Sequence, residues 1–116
     1  MSLEGKVALI TGGGTGTGRS IALAFAKIGA SLAINYSRSV EDAEKTVADL
    51  RALGAKAEAF RADVSSKDQV ATMVALVMEK FGRLDILVNN AGYTSFVPLE
   101  DLDGITDEIW NRTIDV

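Results

Sequence analysis

Short apolar runs alternate with helically spaced apolar stripes along the chain. Lys6–Ile10 (Lys-Val-Ala-Leu-Ile) reads as a buried first strand. From Arg19 to Ala30, Ile21, Phe25 and Ile28 recur at helical spacing, and Gly29 supplies a stop. Ser31–Tyr36 reads as the second strand. Val40 to Leu53 carries Ala43, Val47 and Leu50 on one helical face, and Gly54 follows as a C-cap. Ala55–Arg61 is a weaker third strand. Val70, Met73, Val74, Val77 and Phe81 stripe the next helix, which Gly82 ends. Leu84–Val88 reads as a fourth strand, Pro98 falls in the loop after it, and a last helix is expected from about Thr106 onward through Ile109, Trp110 and Ile114. Strands separated by helices of ~10–15 residues imply crossover units and a parallel sheet. The expected architecture is α/β: a doubly wound sheet, strand order 3-2-1-4, with helices on both faces.

The link between the first strand and the first helix is Thr11-Gly12-Gly13-Gly14-Thr15-Gly16-Thr17-Gly18. Strand, glycine turn and helix together make the geometry that sets a phosphate on a helix N-terminus, where free N–H groups and the positive end of the macrodipole meet the anion. Glycine admits the close backbone approach. The G-x-G-x-x-G spacing does not fit, because its third glycine would fall on Thr17; T-G-x-x-x-G-x-G fits, through Gly12, Gly16 and Gly18. Gly13 to Ser20 also approaches a P-loop, G-x-x-x-x-G-Lys-[Ser/Thr], but Arg19 stands where the lysine belongs. An arginine is not equivalent there to a compact ammonium. A P-loop-like NTPase is therefore a minor alternative.

Composition narrows the partners. The 116 residues make one domain's worth of chain, with 47% hydrophobic residues and a formal charge of −4. An acidic balance without a basic block argues against nucleic acid. No cysteine and no histidine are present, which removes disulfides, thiolate metal sites and the commonest general base. No apolar run reaches the ~18 residues of a membrane span, and Met1–Lys6 lacks the pattern of a secretory signal. A cytoplasmic protein is the expectation.

Two further motifs join the glycine turn: Asp63-Val64 after the third strand and Asn89-Asn90-Ala91-Gly92 after the fourth. The three, in this order and spacing, resemble the short-chain dehydrogenase/reductase family, most closely its 3-oxoacyl-acyl carrier protein reductase-like branch. The resemblance implies a Rossmann-like fold, here truncated to four strands, with residues 1–116 forming the N-terminal part of one dinucleotide-binding domain. It implies hydride transfer between nicotinamide and a carbonyl or secondary alcohol. It also implies that the loop comprising Gly12, Gly14, Thr15, Gly16, Thr17 and Gly18 faces the pyrophosphate. Thr17 departs from the family, which usually has an apolar residue there. By the same resemblance, Asp63 accepts from the adenine amino group, Val64 flanks the ring, and Asn90, Ala91 and Gly92 line the ribose side. Asn89 is expected to tie adjacent strands, and helix capping is the other role open to Asp63, with Ser65 and Ser66 as competing caps.

Cofactor choice lies at the end of the second strand. An acidic residue there would bind the ribose 2′-hydroxyl of NAD, and an arginine the 2′-phosphate of NADP. The position holds Tyr36-Ser37-Arg38, and no carboxylate appears before Glu41. NADP(H) is expected over NAD(H).

The family resemblance also implies proton relay by Asn, Ser, Tyr and Lys. Its asparagine would fall one residue past Val116, and the serine and the Tyr-x-x-x-Lys pair beyond that. Tyr36 and Tyr93 are followed four residues on by Val40 and Val97, so no catalytic set is assigned within these residues. A non-catalytic nucleotide-binding or assembly fragment is the other reading. If the chain ends here, the fourth strand becomes an open apolar edge and the last helix leaves an apolar patch, so homo-oligomerisation is expected.

Overall fold

The computed structural model describes residues 2–12, 14, 16–90 and the strand backbone of 95–98. The first strand, β1 (Val7–Ile10), is buried along its whole length. Its alternation splits it between two cores: Ala8 and Ile10 join one apolar cluster, Val7 and Leu9 another. A strand covered on both faces must read as a continuous apolar run, and this one does.

The remaining elements follow in chain order: α1 (Gly16–Lys27), β2 (Ser31–Tyr36), α2 (Val40–Ala52), β3 (Ala57–Arg61), α3 (Lys67–Phe81), β4 (Ile86–Asn89) and β5 (Ser95–Pro98). The sheet runs β3-β2-β1-β4-β5. β1, β2, β3 and β4 are parallel, in the expected order 3-2-1-4, and β5 is antiparallel to β4. On one face, Ala22 and Ala26 of α1 and Ala43, Val47 and Leu50 of α2 cover Ala8, Ile10, Leu32 and Ile34. On the other, Val70, Met73 and Val77 of α3 cover Val7, Leu9, Ala33 and Leu87. Each fully buried Val, Leu, Ile or Met side chain among these contributes about 1.5–3 kcal/mol of transfer free energy.

The helix ends follow local chemistry. Ser39 and Ser66 cap α2 and α3 by accepting from the backbone N–H of Asp42 and Gln69. Gly82 ends α3 in the left-handed region. Gly29 is demanded twice, by φ of +101° and by a Cβ that would meet the Glu4 backbone at 3.0 Å.

Four expectations need correction. α1 begins at Gly16, not Arg19: the glycines of the turn form its first turn, and Gly18 is buried within it. β3 begins at Ala57, not Ala55, because the Ala55 N–H is held by Leu50 O at 3.2 Å at the end of α2. Pro98 lies in a strand rather than a loop. β5 pairs with β4 over Ile86–Pro98 to Asn89–Ser95, so the fourth strand is not an open edge. Proline is tolerated because β5 itself forms the margin of the sheet. The helix expected from Thr106 onward lies outside the described residues.

Candidate functional site

Strand order reverses at β1: β2 lies on one side of it and β4 on the other. In such sheets the crevice at the carboxyl ends of the strands beside the reversal is where ligands sit. The glycine turn leaves β1 at this point. Gly12 and Gly16 have φ of +62° and +60°, conformations that side chains rarely adopt. A Cβ on Gly14 would lie 3.2 Å from the Ala43 backbone nitrogen, so the turn rests directly against α2.

Buried polar side chains hold that turn from below. The Thr11 hydroxyl accepts from the Asn90 N–H at 2.9 Å and lies 3.1 Å from Asn89 Oδ1, to which it donates. Asn89 therefore ties β4 to β1, as expected. Asn90 Nδ2 donates to Gly12 O at 3.4 Å. Asn35 is 3% exposed at the end of β2; its Oδ1 accepts from the Gly12 N–H at 3.3 Å, and its Nδ2 donates to Ala62 O at 3.1 Å. Thr46 is fully buried in α2, donates to Gly14 O at 2.8 Å, and accepts from Arg19 Nη1 at 3.0 Å. Arg19 also pairs with Asp49. The guanidinium at the near-P-loop position is thus committed to α2, which leaves the P-loop alternative without its cation.

The expected site residues gather along the same rim. Gly12, Gly14, Tyr36, Ser37 and Arg38 border a recess of about 240 Å³ together with Asn35. Ser37 and Arg38 also border a second recess, of about 360 Å³, with Arg61, Asp63 and Gln69. Gly16, Thr17 and Gly18 form the first turn of α1, with the Thr17 side chain exposed. Val64 is half-buried and packs toward the α3 core. Thr15, Ala91 and Gly92 lie outside the described residues.

Asp63 is not the cap of α3, because Ser66 takes that role. Its Oδ1 accepts from the Ser65 hydroxyl at 2.6 Å and the Ser65 N–H at 2.9 Å. Those bonds outweigh the opposing effect of burial and, with a lesser contribution from the Arg38 charge, hold its carboxyl below the usual range. It is therefore anionic at neutral pH.

Thr11, Asn35, Thr46, Arg19 and Arg61 had no assigned role in the site. For Asn35 a signal existed, since an amide breaks the apolar run of Leu32–Ile34 just before the strand ends. Thr46 and Arg19 carry no such mark, because their meeting depends on how α1 and α2 pack.

Comparison with known proteins agrees with this geometry. Residues 6–116 match the family model for short chain dehydrogenases. The chain is 43% identical over 109 residues to a Bacillus subtilis protein described as a short-chain dehydrogenase/reductase homolog, YusS, covering 94% of this chain and 100% of that one. It is 50% identical over 102 residues to versicolorin reductase 1 of Dothistroma septosporum, covering 88% of this chain but only 39% of the relative. Among solved structures, a Burkholderia cenocepacia short chain dehydrogenase in complex with NADP superposes with a TM-score of 0.76 at 43% identity, over 100% of this chain and 46% of that one. With the glycine turn, the strand order and the matched sequence in agreement, the chain belongs to the short-chain dehydrogenase family.

Proposed function

We propose that these residues form the NADP(H)-binding part of an oxidoreductase that moves hydride between nicotinamide and a carbonyl or secondary alcohol. The observation that carries the cofactor choice is Arg38. It stands just past β2 with Tyr36 and Ser37, borders the recess beside the glycine turn, and forms no ion pair among the described residues. β2 itself ends without a carboxylate; Asp42, in the first turn of α2, borders the same recess and accepts from the Ser39 hydroxyl at 2.8 Å. A guanidinium and a serine hydroxyl suit a phosphate.

The turn fits the rest of a dinucleotide. α2 and α3 carry acidic residues in their first turns, whereas α1 has none. The positive end of α1 is thus left for an anion from outside the chain. Gly12, Gly14 and the N–H groups of Gly16, Thr17 and Gly18 would hold the pyrophosphate, Asp63 the adenine amino group, and Asn90 the ribose side. When bound, NADPH supplies the hydride. The residues of this chain bind and orient it, and the buried bonds of Asn35, Thr46 and Thr11 keep the turn in place.

The test is Arg38→Asp, read by equilibrium titration with both cofactors. NADPH affinity is expected to fall by about a hundredfold, with NADH affinity held or improved. Unchanged NADPH affinity would remove the reading.

A further inference from the structure

We propose that Arg61 is a second cation for the 2′-phosphate of NADP(H), acting opposite Arg38; this rests on the cofactor reading above. Arg61 is the last residue of β3 and stands in register with Tyr36, the last residue of β2. Tyr36, like Ala59 two residues before Arg61, packs toward the core covered by α1 and α2. Strand alternation therefore puts the Arg61 side chain on the Tyr36 face. There it borders the recess of about 360 Å³ with Ser37, Arg38, Asp63 and Gln69.

The other arginines among the described residues show what is unusual about this pair. Arg19 is paired with Asp49, Arg51 with Glu58 and Arg83 with Asp85. Arg38 and Arg61 are exposed, and neither lies within ion-pair distance of a carboxylate among the described residues. Their place is also unfavourable for stability. Lys27, Arg51 and Lys80 sit in the last turns of α1, α2 and α3, where cations complement the helix dipoles. Arg38 stands just ahead of the N-terminus of α2, and Arg61 borders the recess that Gln69, in the first turn of α3, also lines. The two guanidiniums repel one another, and the Asp63 carboxylate on the same recess offsets only one of the two charges.

The charges decide which anion fits. Two guanidiniums and the Asp63 carboxylate leave the recess with one net positive charge. A phosphate monoester bearing about −1.5 to −2 charges at neutral pH more than offsets it and offers enough oxygens for both forks. A ribose 2′-hydroxyl supplies no charge and leaves the net positive charge of the recess uncompensated. Arg61 thus sharpens selection for NADP(H) without contributing to the binding of NAD(H).

The experiment is a titration of the full-length protein with NADPH and NADH, comparing wild type, Arg61→Gln and Arg61→Lys, with the melting temperature of each recorded. Arg61→Gln is expected to weaken NADPH by about tenfold and to leave NADH within about twofold. Arg61→Lys should restore part of the loss. Equal weakening of both cofactors, or an unchanged NADPH affinity beside a wild type that prefers NADPH, overturns the role of Arg61 and leaves Arg38 standing. A wild type with no preference for NADPH overturns the cofactor reading and this role together.

Discussion

At the amino ends of the strands, the Asp85 carboxylate is matched within the chain. Asp85 accepts from the Val7 N–H at 2.9 Å and from Arg83 at 2.7 and 2.8 Å. Lys27, Arg51 and Lys80 lie in the last turns of the helices, against the negative ends of their dipoles. At the carboxyl ends the balance is different. α1 has no acid in its first turn, Arg38 and Arg61 have no carboxylate partner among the described residues, and the backbone turns through Gly12 and Gly16 at positive φ. A larger hollow, of about 650 Å³, lies at the amino end, lined by Glu4, Gly29, Lys56 and Lys80 among others. The hollow of greater volume and the rim that carries the candidate site residues are thus different.

The contrast can be broken most severely at the glycine turn. Gly14→Val drives a branched side chain against the Ala43 backbone and should cost about a hundredfold in NADPH affinity. Calorimetric titration checks this, and a near-normal affinity would mean that the turn does not carry the cofactor.

Thr46→Val separates support from contact. It keeps the shape of a fully buried side chain but removes the bonds to Gly14 O and Arg19. A loss of about 1–3 kcal/mol of stability is expected, read by denaturant melts, with a weaker NADPH affinity and no change in the NADPH-to-NADH preference. Thr46→Ser should recover most of it.

The smallest effect is expected at the opposite rim. Burial alone would raise the Asp85 carboxyl, but the Arg83 bond, the Val7 N–H and the charges of Arg83 and Lys6 outweigh it and hold the group below its usual range. A carboxyl lowered on folding stabilises fully above its unfolded value of about 4 and loses that contribution as the pH falls through the folded value. Asp85→Asn should therefore cost about 1 kcal/mol near neutral pH and progressively less below about pH 4. Cofactor affinity should not move. Thermal melts across pH check the first part and titration the second.

Much of this architecture was legible in the order of residues. Parallel strands covered on both faces must read as apolar runs, so β1 and β2 stood out, and Gly29, Gly54 and Gly82 marked the helix ends. β5 was not legible: Ser95–Pro98 is short and carries a proline, and its pairing with β4 is a tertiary fact. The site divided the same way. Glycine spacing and Arg38 carry their chemistry in the local sequence. Arg61 becomes informative only through its register with Tyr36, and Arg19 only through the helix it meets, where it supports the turn instead of binding phosphate.

The most direct test of the contrast between the rims is amide hydrogen exchange of the full-length protein with and without saturating NADPH. Protection is expected to concentrate on the N–H groups of Gly12, Gly16, Thr17 and Gly18 and around Tyr36–Arg38, with Glu4, Gly29 and Lys56 unchanged. Protection centred on the amino-end recess, with the glycine turn unaffected, would contradict the account.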